Sequence, residues 1–582
     1  MNETTSTEAA ALRAPFASRR SPFWTTPPEG VAAVFRDWRS TARELDEIFR
    51  SDPRFVPLIS PIEARGVPYA REIAHVKRFA ERWRSDPRFR AELHADPQGA
   101  TARHGIDVDP EELRPFWDDA AAARAKDDPS WKPSLLVERH RLFAREKLLH
   151  RERLRVEECV PADERHRLWR NRQIQRSLGH LGPRHYQGIV HAPFAIELSE
   201  GCSVGCWFCG VSAAKKGADF RYSDENAELW RGVLRVLRDA VGPAAATGFC
   251  YWATDPLDNP DYERFCTDFA DVCGRFPQTT TAQPHKDVER VKRLLRLSEE
   301  RGCTINRFSI LTLGIFERVM ASYTAEELLH CELVPLNAEA VQTPSHAGRA
   351  RGSERLQRLA QRSRDATSGR ATELGSGEEY PLGTIACISG FLLNMVHRSV
   401  RLITPCPAGD RWPEGYWVLE EARFDDASDL ASLVEGMKER HMRTALRAGD
   451  PVRFRPDVRF EPGDRGFVVH GRGARTAFAG PPLLREVGSA IASGDATAGG
   501  IAIRVEDETG RPAALTMNVL NQVFDAGVLD EEPCMSRTGS PARAKKEASG
   551  ARDDRDADAP DALASSPTSK SLAPESSAEP CA

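Results

Sequence analysis

Apolar positions along this chain recur first at helical spacing and later at the spacing of buried strands. Between residues 31 and 127 they fall three and four positions apart, as in Val31–Trp38 and Ile73–Trp83, where Asp-Pro pairs start further short helices. This pattern predicts a helical N-terminal region over 31–182. From 183 to 440, short apolar runs alternate with amphipathic segments, which predicts parallel strands connected by helices and therefore an α/β fold.

The predicted strands share a short apolar run followed by polar or turn-forming residues. They lie at Phe194–Ser199, Thr247–Ala253, Gln278–Ala282, Asn306–Leu313, Glu332–Pro335 and Thr384–Ile388. Six strands alternating with helices are typical of a partial (β/α)6 barrel. The Arg- and Ser-rich stretch 345–376 interrupts the rhythm and predicts a flexible loop or a loosely held helix near the active end of that barrel.

A third pattern follows over 447–535. Residues 447–470 alternate like short strands, and helices are predicted at Pro482–Ser493, after Ala496 and at Leu515–Ala526. Strands followed by three helices predict a winged-helix-like module. Such a module binds either a peptide or DNA. Its last helix carries no Arg or Lys for phosphate groups, so we expect a peptide partner and consider nucleic acid unlikely.

The composition adds a cellular setting. The chain has 582 residues and a formal net charge of -5, and its ends, 1–30 and 536–582, are too poor in apolar residues to predict folded structure. The sequence shows neither a signal peptide nor an apolar run long enough to cross a membrane. Its thirteen cysteines are scattered, as in reduced proteins, and we expect a cytoplasmic location. The basic run Arg139–Arg176 is interpreted as a solvated helix face.

The candidate chemistry centres on three cysteines that follow the first predicted strand. Cys202, Cys206 and Cys209 are separated by three and then two residues. Three thiolates on one loop can hold three irons of a [4Fe-4S] cluster and leave the fourth iron open. A zinc site with a remote fourth ligand is the alternative, although zinc knuckles usually combine two close pairs and the chain has no second Cys-x-x-Cys.

The cysteine spacing, with a strand before it, resembles that of the radical SAM enzymes. The resemblance implies that S-adenosyl-L-methionine (SAM) binds the open iron and is cleaved to methionine and a 5'-deoxyadenosyl radical. It also implies that Phe208 packs on the adenine and that Asp255, in the turn after the second predicted strand, contacts the SAM amino group. Strand-end residues Gln283, His285, Arg307 and Ser309 are further candidates for contacts with SAM or substrate.

Further segments resemble the radical SAM peptide epimerases of proteusin maturation, which convert L- to D-amino acids in ribosomal peptides. The segments are Tyr251–Tyr262, Ala386–Phe391 and Leu402–Tyr416, and the resemblance extends over residues 31–425. It implies a cysteine thiol that returns a hydrogen atom to the α-carbon. Cys406 and Cys387 are the candidates. Cys406 is preferred because Pro405 and Pro407 would hold its backbone rigid.

The resemblance also implies partners: a precursor peptide with a leader segment, and a reductant such as a flavodoxin or ferredoxin. Two alternatives remain open. A related maturase could form crosslinks or transfer methyl groups. An iron-sulfur regulator could instead bind DNA through the winged module and sense redox state.

Overall fold

The computed structural model describes residues 29–128, 130–186, 188–340, 344–359, 383–472 and 474–533. The predicted disordered ends lie outside these residues, apart from residues 29 and 30, which begin the first helix. Within the described ranges, no helix combines the length and apolar composition that a membrane span requires.

Helices make up the N-terminal region, as predicted. They are α1 (Glu29–Ser51), α2 (Pro61–Ala64), α3 (Ala70–Ser85), α4 (Pro87–Ala95), α5 (Pro97–Arg103), α6 (Arg114–Trp117), α7 (Asp119–Asp127), α8 (Leu135–Arg153) and α9 (Glu164–Tyr186). The Asp-Pro pairs act as predicted, since Asp86 and Asp96 accept backbone N–H groups at the starts of α4 and α5. A separate apolar core, which includes Phe79, Phe89 and Leu93, holds the helices together.

Two sheets occupy the centre of the described chain. The first has the order β1-β5-β6-β7, with β1 (Ala192–Glu197), β5 (Ile388–Asn394), β6 (Ser399–Pro405) and β7 (Tyr416–Arg423). The second has the order β2-β3-β4, with β2 (Thr280–Thr281), β3 (Asn306–Ile310) and β4 (Cys331–Pro335). All pairs of the second sheet are parallel, and β1 is parallel to β5. β6 is antiparallel to both of its neighbours, β5 and β7. This confirms a mixed α/β fold, and closure into a partial barrel stays a prediction.

The segment between the two sheets is the second predicted strand, which is mostly irregular. It makes a single parallel bridge, Phe249 to Ala195 of β1. On the other side, the Tyr251 hydroxyl contacts Gln278 Oε1 at 2.7 Å and Thr280 Oγ1 at 2.9 Å. The segment therefore lies beside β1 and β2, in the place that the chain order predicts.

The sixth predicted strand was misplaced. The predicted strand Thr384–Ile388 ends where β5 begins. Gly390 lies inside β5, where an added Cβ would approach Pro193 O to 1.9 Å. A glycine in a strand often marks such a close backbone approach. Cys387 therefore precedes a strand, rather than ending one.

Helices cover the sheets, and their apolar faces form the main core. They are α10 (Asp224–Val241), α11 (Tyr262–Cys273), α12 (Val288–Glu300), α13 (Leu313–Ser322) and α14 (Ala427–His441). Trp230 of α10 is fully buried, and its indole N–H donates to Phe265 O at 3.0 Å. This core fixes the orientation of β1, from which the cysteine loop begins.

The C-terminal region contains the predicted strands and three helices. They are β8 (Pro451–Val452), β9 (Arg459–Gly463), β10 (Gly466–His470), β11 (Arg475–Ala479), α15 (Leu483–Ser493), β12 (Ala496–Thr497), α16 (Ala498–Thr509) and α17 (Ala513–Asp525). β9, β10 and β11 form an antiparallel sheet with β10 in the middle, and β8 pairs with β12. These elements share one apolar core.

The basic run is a solvated helix face only in part: Arg141 and Arg153 are exposed, but four of its arginines are buried, contrary to the prediction. Arg155, Arg170, Arg172 and Arg176 are among the largest fully buried side chains of the described residues. Arg172 Nε lies 2.8 Å from Glu531 Oε2, and Arg176 Nη2 donates to Pro405 O at 2.7 Å. Residues distant in the sequence supply these acceptors, so helix α9 is a buried connection between β6 and the C-terminal region.

Candidate functional site

The cysteine loop, residues 198–219, leaves the carboxyl end of β1. Isolated bridges join Ser199 to Asp219 and Cys202 to Lys215, so the two ends of the loop run close together. Gly201 makes this possible, because its φ is +64° and an added Cβ would lie 2.3 Å from Lys215 O. The described chain thus brings the three predicted ligands onto one short, backbone-bonded loop.

The three thiols are partly exposed and lie near one another. Burial, together with the charges of Cys202 and Cys209, raises the pKa of Cys206 to about 11, and burial raises the pKa of Cys202. Cys209 Sγ accepts the Ala213 N–H at 3.3 Å. Three thiolates on one loop would repel one another, so a bound cation would stabilise the deprotonated set.

The cysteine loop contains the donors that the sequence predicts for a cluster. Among the residues that the structure describes, no three His, Cys, Asp or Glu side chains are arranged to hold a metal ion. The chemistry of the loop nevertheless fits a cluster, since it supplies three partly exposed thiols of matching type and spacing. The residues present therefore suit the group.

Asp258 fixes the start of the cysteine loop from the turn after the second predicted strand. Its Oδ2 accepts the Ser203 N–H at 2.8 Å, and its Oδ1 accepts the Ser203 hydroxyl at 2.5 Å. Gln283 Nε2 donates to the same carboxylate at 2.9 Å. The sequence-predicted Gln283 therefore reaches the site through Asp258, which sequence reasoning missed although it lies in the Asp-Pro turn that was singled out.

Asp255 has its carboxylate surrounded by donors from the protein. It accepts the Leu257 N–H at 3.0 Å, the Thr281 hydroxyl at 2.8 Å and the Ala282 N–H at 2.7 Å. Asp255 is 5% exposed, and burial raises its pKa to about 6. These contacts tie the turn to β2. A contact with the SAM amino group stays a prediction.

The aromatic pair before the third cysteine lies on the same loop. The Trp207 and Phe208 rings pack edge to face with centroids 5.2 Å apart, and Arg355 lies over the Trp207 ring at 4.6 Å. Phe208 is partly exposed and so could contact a planar ligand. The arrangement leaves the predicted adenine contact untested.

Arg307 and Ser309 lie two residues apart on β3 and so share one face of the sheet. Arg307 is opposite Thr280 on β2 and Glu332 on β4. Burial raises the pKa of Cys387 to about 11, and the nearby positive charge of Arg307 opposes this increase. The structure therefore brings Arg307 and Cys387 near each other, although they are distant in the sequence.

The two candidate hydrogen-donor thiols differ in exposure. Cys387 is partly exposed and lies against the cluster of Phe249, Tyr251 and Trp252. Cys406 is 2% exposed, and burial raises its pKa to about 12 beside Arg176. Cys387 directly precedes β5, and Cys406 directly follows β6. Ile388, at the start of β5, pairs with Ala192 at the amino end of β1, whereas the cysteine loop leaves the carboxyl end of β1. The loop reaches back toward Cys387 through Ile385, whose side chain lies 3.0 Å from a Cβ added at Gly210.

Arg349 is a second residue that sequence reasoning missed. Its backbone N–H donates to Cys209 O at 3.0 Å, and its guanidinium donates to Cys206 O at 3.0 Å and to Ala213 O. It lies in the stretch 345–376 that was interpreted as a loose loop or helix. Residues 354–359 of that stretch are helical, and Gly348, Arg349 and Arg355 contact the cysteine loop. Residues 360–376 lie outside the described ranges.

Fold and site together define a mixed α/β protein with a three-cysteine loop at the carboxyl end of its first strand. The chain belongs to the y4wI family. It is 37% identical over 468 residues to the uncharacterized protein y4wI of Sinorhizobium fredii (strain NBRC 101917 / NGR234), which covers 79% of this chain and 88% of the relative. The family model described as the protein y4wI C-terminal domain matches residues 452–527, from β8 to the end of α17.

One solved structure shows a faint likeness. It is the crystal structure of BtrN in complex with AdoMet and 2-DOIA, which is 15% identical, with 25% of this chain and 56% of that chain covered and a TM-score of 0.20. The chain thus spans about half the length of BtrN.

Proposed function

We propose that this protein is a radical SAM enzyme that epimerises amino acids in a ribosomally made precursor peptide. The observation that carries the proposal is the cysteine loop, whose spacing and place after β1 match those of radical SAM enzymes. The peptide class rests on the resemblance of the segments around Asp255, Cys387 and Cys406 to peptide epimerases.

Cys202, Cys206 and Cys209 would hold a [4Fe-4S] cluster. When bound, the cluster and SAM supply the one-electron chemistry that generates a radical able to abstract hydrogen. Asp258 holds the loop against the turn that contains Asp255. The protein's own contribution is to position the reacting groups and to keep water from them.

The hydrogen returned to the peptide would come from a thiol on the opposite face of the α-carbon. Burial raises the pKa of Cys387 to about 11, so this thiol keeps its hydrogen at neutral pH. We assign the donation to Cys387 because Ile385, two residues before it, packs against Gly210 of the cysteine loop, and because the Cys387 residue is partly exposed, whereas Cys406 is 2% exposed. This reverses the preference based on the prolines that flank Cys406.

In this donation, Cys387 gives one hydrogen atom to the α-carbon radical, which completes the D-residue and leaves a sulfur radical on Cys387. One electron from a reductant such as a flavodoxin or ferredoxin, with one proton from solvent, would restore the thiol.

The precursor peptide would dock on the C-terminal region. β9 and β11 are the outer strands of its sheet, and an extended leader segment can add to such an edge. We expect the reaction in the cytoplasm, where thiols and the cluster stay reduced.

The test is reaction of the reconstituted, reduced enzyme with its precursor peptide in deuterated water. Because a thiol hydrogen exchanges with solvent, we expect one deuterium at each inverted α-carbon, read by mass spectrometry and chiral analysis. Loss of two hydrogens would indicate crosslinking, and gain of a methyl group would indicate methylation. Either mass change without inversion would contradict the epimerase assignment.

A further inference from the structure

A short segment around Gly348 and Arg349 contacts the cysteine loop. Gly348 and Arg349 form a short 3-10 turn with Ala350, and the Gly348 N–H donates to Pro413 O at 2.7 Å. This turn therefore bridges the loop and the connection between β6 and β7, which also contains Cys406.

Arg349 bonds the backbone of the loop at three places. Two of its acceptors are the carbonyl groups of Cys206 and Cys209, and the third belongs to Ala213. The Ala213 N–H in turn donates to Cys209 Sγ at 3.3 Å, and the next carbonyl, of Ala214, accepts the Cys202 N–H at 2.9 Å. One exposed arginine thus connects the backbone around all three cysteines.

Gly348 gives an independent sign of close fit. Its φ is +56°, and an added Cβ would lie 2.3 Å from Cys209 O and 2.6 Å from the carbonyl carbon of Gly210. Any side chain here would push the two backbones apart. By contrast, Gly352 has φ +74° with no atom within 4 Å of an added Cβ.

We propose that Gly348 and Arg349 form a clamp that fixes the backbone of the cysteine loop and so positions Cys206 and Cys209 to bind the cluster. Arg349 is a positioning residue, because it acts on the ligands through their carbonyl groups. The part of the inference that concerns the cluster rests on the proposed function. The part that concerns the loop backbone does not.

The first test uses the metal-free full-length protein and hydrogen-deuterium exchange of peptides that cover residues 202–213. Loss of the guanidinium bonds in Arg349→Ala should speed exchange there on the order of tenfold. Arg351→Ala is the matched control, since Arg351 pairs with Asp410 at 2.8 Å and should leave the loop unchanged. Equal exchange in the two variants would overturn the clamp.

The glycines give a second matched pair. Gly348→Ala and Gly352→Ala both place alanine at positive φ, but only the former meets backbone atoms. Faster exchange of the loop in Gly348→Ala alone is expected. The same change in both variants would show general strain and contradict a specific contact.

The second test measures iron and acid-labile sulfide after anaerobic reconstitution, and the spectrum and midpoint potential of the bound cluster. Arg349→Ala and Gly348→Ala should bind iron more weakly and shift the potential, and Arg349→Lys should recover only part because one ammonium cannot match the guanidinium fork. Wild-type iron content and potential in Arg349→Ala would overturn the role toward the cluster. If the wild-type protein itself binds no cluster, the proposed function fails, while the exchange experiment still decides on the clamp.

Discussion

The cysteine loop concentrates thiols and helix α9 concentrates arginines, and the two regions differ in whether these side chains are exposed or buried. The loop keeps three thiols partly exposed and is held by backbone hydrogen bonds. Helix α9 buries Arg170, Arg172 and Arg176, which donate to carbonyl groups and to Glu531 from other parts of the chain. The difference teaches that local spacing predicts which thiols share one loop, whereas a run of charge does not show whether it faces water.

The largest expected effect separates the ligand cysteines from the other thiols. Cys202→Ala, Cys206→Ala or Cys209→Ala should lower bound iron and SAM cleavage to background, since each removes a cluster ligand. Iron analysis and chromatography of 5'-deoxyadenosine measure both. The control Cys303→Ala removes a buried thiol outside the loop and should retain cluster and cleavage. A loop variant that still cleaves SAM would break the comparison.

The next effect concerns the thiols outside the loop. Cys387→Ala should leave SAM cleavage intact but abolish deuterium incorporation and clean inversion of the peptide, because the hydrogen donor is lost. Cys406→Ala should retain both, as its thiol is buried. The opposite result would assign the donation to Cys406, as the flanking prolines predicted.

The third effect tests the buried face of α9. Arg172→Ala should lower the free energy of unfolding by about 3–5 kcal/mol, because Glu531 would lose its partner in a buried setting. Urea unfolding measures the loss. Arg167→Ala, on the same helix, removes a partly exposed cation 3.7 Å from Glu164 and should cost less than about 1 kcal/mol. Equal losses would mean that α9 is not the buried connection described.

The smallest effect is a pH dependence centred on His166 of α9. Burial lowers the pKa of His166 to about 4, and its Nε2 lies 3.2 Å from Ser389 O. As pH falls from about 6.5 to about 4, the unfolded chain binds a proton that the folded chain does not, so stability is lost over this window and not above it.

His166→Gln should remove that contribution, on the order of 1–3 kcal/mol. Thermal unfolding at pH 7 and pH 4.5 measures the stability that each protein loses between these pH values. The wild-type loss minus the loss in the variant gives the contribution of His166, because the other histidines are the same in both proteins. If both proteins lose stability equally between these pH values, His166 is not buried in its neutral form.

Sequence patterns predicted the elements that depend on local spacing. The cysteine loop, the Asp-Pro caps at Asp86 and Asp96, and the strands and helices of the C-terminal region all follow from residues close together in the chain. The predicted strand Thr384–Ile388 missed most of β5, which contains Gly390 in close backbone contact with Pro193, an approach that local spacing does not show.

Contacts across the chain were not predictable in the same way. Asp258 and Arg349 bond the cysteine loop from 55 and 143 residues away. The turn around Asp258 was predicted to belong to the site, but its local sequence does not show that Asp258 bonds the loop, and nothing near Arg349 marks it as a partner. The burial of Arg172 depends on Glu531, which is 359 residues further along the chain. Tertiary packing therefore determined both the clamp and the buried helix.

The most direct test of the central claim is anaerobic reconstitution of the full-length protein with iron and sulfide, followed by reduction and addition of SAM. We predict a [4Fe-4S] spectrum whose paramagnetic signal changes when SAM is added, together with release of 5'-deoxyadenosine. Zinc in place of iron, or a cluster whose signal and SAM content stay unchanged, would contradict the account.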